Sequence, residues 1–338
     1  MSIQKAVFNT SFKLESGEVL PSLEIAYHTY GKLNSEKSNV IWICHALTAS
    51  SDIADWWSGL VGEGKPFNTN KYFIVCANIL GSCYGSSGPL SINPKTGNKY
   101  YSQFPQVTIR DMVNAHVLLR KHLGINKVFI GTGGSMGAYQ IMEWAVMEPS
   151  VFDRMILMCT SAKESAWGIA IHTAQRLAIE ADSTWKEASD KAGQKGLKAA
   201  RAIGMLTYRN YETFAHQQTD SDNNKIDDFK ASSYINYQGD KLVKRFNVYS
   251  YWLLTKAMDS HNLARDRKKI EAVLKSIKTK TLVIGISSDQ LCPPQEQKSL
   301  AKHLSNAILE IIDSTYGHDG FLVEWKKLTK VIGFWLKK

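Results

Sequence analysis

The apolar run Val128-Phe-Ile130 leads into Gly133-Gly-Ser-Met-Gly137, and Ala138-Tyr-Gln-Ile-Met-Glu-Trp-Ala145 then reads as a helix. This strand–turn–helix succession constrains the chain more than any other feature. A turn with glycine two places either side of Ser135 is so tight that only small residues fit there. It lifts the serine hydroxyl clear of the sheet edge, as a nucleophile elbow requires. The N-terminus of the following helix favours negative charge nearby. Two rival readings are weaker. A glycine-rich turn could merely join strand to helix. A dinucleotide-binding fingerprint could start at Gly131 and Gly133, but position 136 is Met and the pattern lies mid-chain, not at the first strand–helix turn.

The surrounding sequence supplies a sheet for such an elbow. Residues 6 to 30 read as antiparallel strands, with Glu15-Ser-Gly-Glu18 as a turn. Val40-Ile-Trp-Ile-Cys44 and Tyr72-Phe-Ile-Val-Cys76 are short apolar runs of the kind buried on both faces of a parallel sheet. Thr108-Ile-Arg-Asp111 resembles a capping box opening a helix that Gly124 closes. The strand pattern returns at Arg154 to Cys159, Thr281-Leu-Val-Ile-Gly285 and Ala307 to Ile312, before a final amphipathic helix from Phe321 to Leu336. Strands alternating with helices imply a mostly parallel central sheet. From about Lys163 to Ser276 the pattern is helical and basic instead. Residues 1–162 and 277–338 therefore read as one α/β core, and residues 163–276 as an inserted helical lid.

Composition excludes several functions. Net charge is +10, but the excess lies on segments that read as solvated helix faces, such as Lys191 to Arg201, Arg267 to Lys280 and Lys326 to Lys338. Nucleic-acid binding needs a reading motif as well as charge, and none is present. No apolar run is long enough to cross a bilayer, and Met1 to Leu14 lacks the apolar core of a secretion signal. A cytoplasmic protein is expected. Cys44, Cys76, Cys83, Cys159 and Cys292 are odd in number and form no Cys-x-x-Cys, so neither a disulfide framework nor a metal site is expected.

A serine nucleophile at an elbow needs an acid and then a histidine later in the chain. Asp289 follows the apolar strand Leu282-Val-Ile-Gly-Ile286 directly. Tyr316-Gly-His-Asp-Gly320 places His318 in a glycine-flanked loop. His303 also follows Asp289 but sits in a helical stretch, and Asp313 is too close to His318 to come from a separate loop. Ser135, Asp289 and His318 are thus the candidate catalytic residues, and an α/β-hydrolase fold working through an acyl-enzyme on Ser135 is the expectation. Its oxyanion hole would use the backbone N–H of Met136 and one from the loop after Val40–Cys44, most plausibly that of Leu47.

Several longer segments make the chain resemble the homoserine O-acetyltransferase family of the α/β-hydrolase superfamily. They include His45-Ala-Leu-Thr48, Asp55-Trp-Trp57, Asn78-Ile-Leu-Gly-Ser-Cys-Tyr-Gly-Ser-Ser-Gly-Pro89, Phe104-Pro-Gln-Val-Thr-Ile-Arg-Asp-Met112, Leu206-Thr-Tyr-Arg209 and Leu254-Thr-Lys-Ala-Met-Asp259. The resemblance implies transfer of an acetyl group from acetyl-CoA, a co-substrate rather than a bound cofactor, to the hydroxyl of L-homoserine in methionine biosynthesis. It also implies that Arg209 and Asp319 hold the amino-acid acceptor. A guanidinium suits its carboxylate and a carboxylate its ammonium. The chain departs from the pattern at Ala138 and Tyr139, where Gly and Met are usual, and at Asn247, where Asp is usual.

The same triad could serve a homoserine O-succinyltransferase, a serine O-acetyltransferase or an esterase. Acetyl is favoured over succinyl because His45 to Leu60 and Gly131 to Glu148, the segments expected to line the acyl pocket, contain no Lys or Arg. They contribute Asp52, Asp55, Glu143 and Glu148 instead. A succinyl carboxylate buried without a cation would be costly. A homodimer through the lid is expected from the apolar stretch Tyr251-Trp-Leu-Leu254, against the rival that this stretch packs on the core.

Overall fold

The computed structural model describes residues 2–337. Met1 and Lys338, the outer bounds expected for the core, lie outside the described residues. Eight strands form one sheet, numbered here in chain order: β1 (Gln4–Phe8), β2 (Leu23–Tyr30), β3 (Val40–Cys44), β4 (Phe73–Ala77), β5 (Val128–Gly134), β6 (Phe152–Met158), β7 (Lys280–Ile286) and β8 (Ala307–Ile312). Their spatial order is β1-β2-β4-β3-β5-β6-β7-β8. The first two contacts, β1 with β2 and β2 with β4, are antiparallel, and all others are parallel. Phe12–Lys13 and Val19–Leu20 make a separate small hairpin around the expected turn.

The central strands are mainly apolar because both of their faces are covered. In β3, Val40, Trp42 and Cys44 pack into one hydrophobic layer, while Ile41 and Ile43 pack into the other. The first layer is roofed by helices Ile109–His122 and Met136–Met147. Thr108 and Asp111 close the anticipated capping box, the Asp111 carboxylate accepting from the Thr108 N–H at 2.9 Å. The second layer is covered by Trp57, Phe67 and the C-terminal helix Trp325–Leu336 through Leu328, Ile332 and Trp335. The expected final helix from Phe321 is broken at Glu324, which separates the short turn Gly320–Val323 from the long one.

Between β6 and β7 the chain forms six helices: Ala166–Glu180, Gln194–Tyr208, Tyr211–Gln218, Lys230–Val243, Val248–Asp259 and Ile270–Ser276. None of the described residues here joins the sheet. Tyr251, Leu253 and Leu254 are buried within the chain's own core, so the apolar stretch that suggested a dimer is already covered. The rival reading of that stretch is the correct one. Among the described residues no helix is long and apolar enough to cross a membrane.

Candidate active site

β5 runs on past its apolar residues to Gly134, and Ser135 sits on the corner before helix Met136–Met147. Its φ of 54° is one that L-residues rarely adopt, so the turn is strained. The strain is held by neighbours: the Ser135 N–H donates to the Met158 carbonyl at 2.9 Å, and the Thr160 hydroxyl donates to the Ser135 carbonyl at 3.3 Å. The reason for Gly137 is steric. A Cβ there would lie 2.1 Å from the Cys44 carbonyl oxygen, so β3 and the elbow helix could not approach as they do. A Cβ on Gly133 would meet the Gly137 backbone at 2.5 Å.

Asp289 follows β7, and His318 lies in a 3-10 turn, Gly317–Asp319, that follows β8. His318 Nδ1 and Asp289 Oδ2 are 2.7 Å apart, so the imidazole donates to the carboxylate. Asp289 Oδ1 accepts from the N–H groups of Leu291 and Cys292, both at 2.9 Å. Burial alone would push the His318 pKa down. The Asp289 charge and hydrogen bond oppose it and win, so the net shift is upward. The rejected candidates lie elsewhere: His303 is half-buried at a helix end, its Nδ1 2.9 Å from the Ser299 carbonyl, and Asp313 accepts from Ser287 on the surface.

The oxyanion candidates are both near the elbow. Met136 is the first helical residue, so its N–H has no partner within the helix. Leu47 is buried in the turn that the Ala49 N–H closes onto the Ala46 carbonyl. Sequence reading missed what ties that loop to the elbow. Gln140, fully buried, donates to the Met136 carbonyl at 3.1 Å and approaches the His45 carbonyl at 3.4 Å, while its amide oxygen meets His116 Nε2 at 2.8 Å. Cys159 was also missed. It follows β6 with φ 47°, and its sulfur lies within 4.8 Å of a ligating atom of both Asp289 and His318. Burial pushes its thiol far up, so it stays protonated.

Arg209 and Asp319 come together on the lid side of His318. Arg209 ends helix Gln194–Tyr208, and its Nε lies 3.3 Å from Asp319 Oδ2. Gly317 makes this approach possible. A Cβ there would lie 2.8 Å from the Tyr208 carbonyl oxygen, and its φ of 63° is one that glycine takes freely. Burial raises the Asp319 pKa, and Arg209, His318 and Arg201 hold it back.

The acids expected to repel a succinyl group are engaged elsewhere. Glu143 is clamped by Arg110 and Arg267, Glu148 by Arg120, and Asp52 accepts from the Tyr30 hydroxyl, while Asp55 is exposed. Trp57 is a core residue whose Nε1 donates to the Phe321 carbonyl. Of the departures from the family pattern, Asn247 caps helix Val248–Asp259 by accepting from the Ser250 N–H at 2.8 Å, a task Asp performs equally well. Tyr139 is buried, stacked on His261 at 3.8 Å, and donates to Glu164 at 3.1 Å.

A strained serine between strand and helix, an Asp–His pair from two later loops and this strand order together define an α/β-hydrolase-fold protein. A family model described as alpha/beta hydrolase fold matches residues 39–324. The homoserine O-acetyltransferase of Cyclobacterium marinum is 48% identical over 322 residues, covering 95% of this chain and 92% of that protein. That of Chlorobaculum tepidum is 44% identical over 328 residues, covering 96% and 92%. Among solved structures, homoserine O-acetyltransferase from Bacillus anthracis aligns with TM-score 0.92 at 26% identity, covering 100% of this chain and 98% of that one. Esterase E22 aligns with TM-score 0.88, also at 26% identity, covering 98% and 99%. The chain belongs to the homoserine O-acetyltransferase family.

Proposed function

We propose that the chain transfers an acetyl group from acetyl-CoA to the side-chain hydroxyl of L-homoserine, a step toward methionine, through an ester on Ser135. The observation that carries this reading is the Arg209–Asp319 pair set beside His318, in a chain whose relatives are homoserine O-acetyltransferases. Ser135 Oγ attacks the thioester carbonyl and its proton passes to His318 Nε2. The C–S bond breaks and the CoA sulfur takes that proton. The homoserine hydroxyl then attacks the Ser135 ester, giving its proton to His318, which returns it to Ser135 Oγ. Asp289 holds the imidazole tautomer throughout. The N–H groups of Met136 and Leu47 receive the negative oxygen in both steps.

Arg209 takes the acceptor's carboxylate and Asp319 its ammonium. Bound this way, the acceptor hydroxyl competes with water by position. The likeness to esterase E22 favours hydrolysis as the second reading, since the same triad can use water. Acetyl suits the donor's group better than succinyl, because neither His45 to Leu60 nor Gly131 to Glu148 offers a cation and the lid guanidinium of Arg209 already faces Asp319; a preference for succinyl-CoA would point to a lid cation as the selector. A homodimer through the lid draws support from other apolar residues exposed there, Trp167, Leu206, Tyr211, Phe229 and Tyr237. Sedimentation as a monomer at micromolar concentration would reject it. Five free cysteines suit a reducing compartment such as the cytoplasm.

The test is a pair of half-reactions. Acetyl-CoA alone should add one acetyl group to Ser135, read by mass spectrometry, and L-homoserine should then remove it as O-acetylhomoserine. Ser135→Ala should lose turnover by about 10⁴-fold or more. Release of acetate at one rate with or without homoserine would favour the esterase reading.

A further inference from the structure

Helix Gln194–Tyr208 ends on the histidine loop, and beside its buried apolar face of Leu197, Ala200 and Met205 it carries a half-buried arginine. Arg201 belongs to a run that reads as a solvated basic face, but the structure turns it inward. Its guanidinium lies 5.4 Å from the centre of the Tyr208 ring. That ring in turn lies 6.1 Å from the His318 ring. Gln175 reaches the same place from helix Ala166–Glu180. Its amide nitrogen and the Tyr208 ring both come within about 3 Å of where a Cβ on Gly204 would sit.

These groups share an unusual property: they are buried and unsatisfied. Arg201 Nε and both amide atoms of Gln175 have no hydrogen-bond partner. Gln175 is fully buried. The great majority of buried polar atoms in folded proteins are paired, so several orphans in one neighbourhood mark a place for something else. Water could satisfy the hydrogen bonds but could not balance the charge. Arg201 makes no ion pair among the described residues, and Arg209 has one carboxylate, Asp319, facing it. Arg201 is thus a partly buried cation with no carboxylate within ion-pair distance among the described residues, and such a cation is costly.

Resting on the reading of the chain as a homoserine acetyltransferase, we infer that Arg201 is a second guanidinium for the acceptor's α-carboxylate. The Gln175 amide stands behind it as a neutral donor. The carboxylate lies between Arg201 and Arg209 and gives Arg201 the direct partner it lacks. Asp319 keeps the ammonium, and the side-chain hydroxyl is directed to His318. Arg201 is thereby a specificity-determining residue: it separates α-amino acids from amino alcohols that lack the carboxylate.

The experiment compares L-homoserine with 3-aminopropan-1-ol, the same molecule without its carboxylate. Binding is measured by calorimetry on Ser135→Ala protein, which cannot turn over, with and without Arg201→Met. Turnover of both acceptors by Arg201→Met and Arg201→Lys is measured alongside. Loss of a charge-assisted hydrogen bond predicts that Arg201→Met binds homoserine about 10- to 100-fold more weakly. Its affinity for 3-aminopropan-1-ol should change by less than about threefold, and Arg201→Lys should recover part of the loss. Equal weakening for both molecules would show a structural role and overturn the inference. So would unchanged homoserine affinity, or a loss confined to acylation of Ser135 by acetyl-CoA, which would assign Arg201 to the donor. Carboxylate-dependent binding without acetyl transfer would overturn the functional reading while leaving Arg201 its role.

Discussion

Asp289 uses both its oxygens, one on His318 and one on two backbone N–H groups, whereas on the lid wall of the same site Arg201 and Gln175 carry polar atoms with no hydrogen-bond partner. The two walls differ in origin. The triad stands on loops that leave the ends of β5, β7 and β8, and the sheet holds those ends in register. The lid wall stands on helices: Gln194–Tyr208 ends on the His318 turn, and Ile171 of Ala166–Glu180 packs on Leu291 and Cys292. A wall that performs the same bond exchange on every turnover works best when its hydrogen bonds are already made. A wall that must recognise a charged small molecule has to leave donors open until the molecule arrives.

The largest effect should come from the finished wall. Asp289→Asn keeps the shape of the site but removes the charge that holds the imidazole tautomer, and kcat should fall by about 10⁴-fold. The pH profile sharpens the point. Only the neutral imidazole accepts a proton, so activity is lost as pH falls through the His318 pKa. That pKa is raised above its usual value by Asp289 acting against burial. Without the charge, burial dominates and the acid limb should move to lower pH. An acid limb that stays in place would mean that another group sets it.

The open wall should respond selectively. Arg209→Ala should lower kcat/KM for homoserine by about 10- to 100-fold, the worth of one charge-assisted contact. Acetylation of Ser135 by acetyl-CoA, followed as the first-turnover burst, should change far less. Equal damage to both half-reactions would erase the distinction between the walls and make Arg209 a structural residue.

The smallest effect tests whether the lid can be loosened without touching the triad. Asn247→Ala removes the cap of helix Val248–Asp259, which carries Tyr251, and should cost about 1 kcal/mol of stability by denaturant unfolding. Hydrolysis of a simple activated ester should be unaffected, while KM for homoserine should rise slightly. A matching drop in ester hydrolysis would show that the triad depends on the lid for its geometry.

Much of the core and the finished wall could be read from residues alone. Runs such as Val40–Cys44 and Ala307–Ile312 announce strands by their length and their apolar character, and Ser135 is marked by glycines whose necessity is local and steric. Asp289 and His318 are findable because chain order and position after a strand limit the choice to a few residues. Tertiary structure alone decided where the remaining polar groups point. Arg201 belongs to a run that looks solvent-exposed, Tyr251-Trp-Leu-Leu254 to one that could face a partner, and Glu143 to a helix that begins at the nucleophile. In the fold the first turns inward over Tyr208, the second is buried in the chain's own core, and the third is clamped by Arg110 and Arg267. Periodicity tells which face of an element is apolar, but not which distant segment will cover it. A buried polar side chain is defined by those distant partners, so its role appears only when helices far apart in the chain close around the same few ångströms.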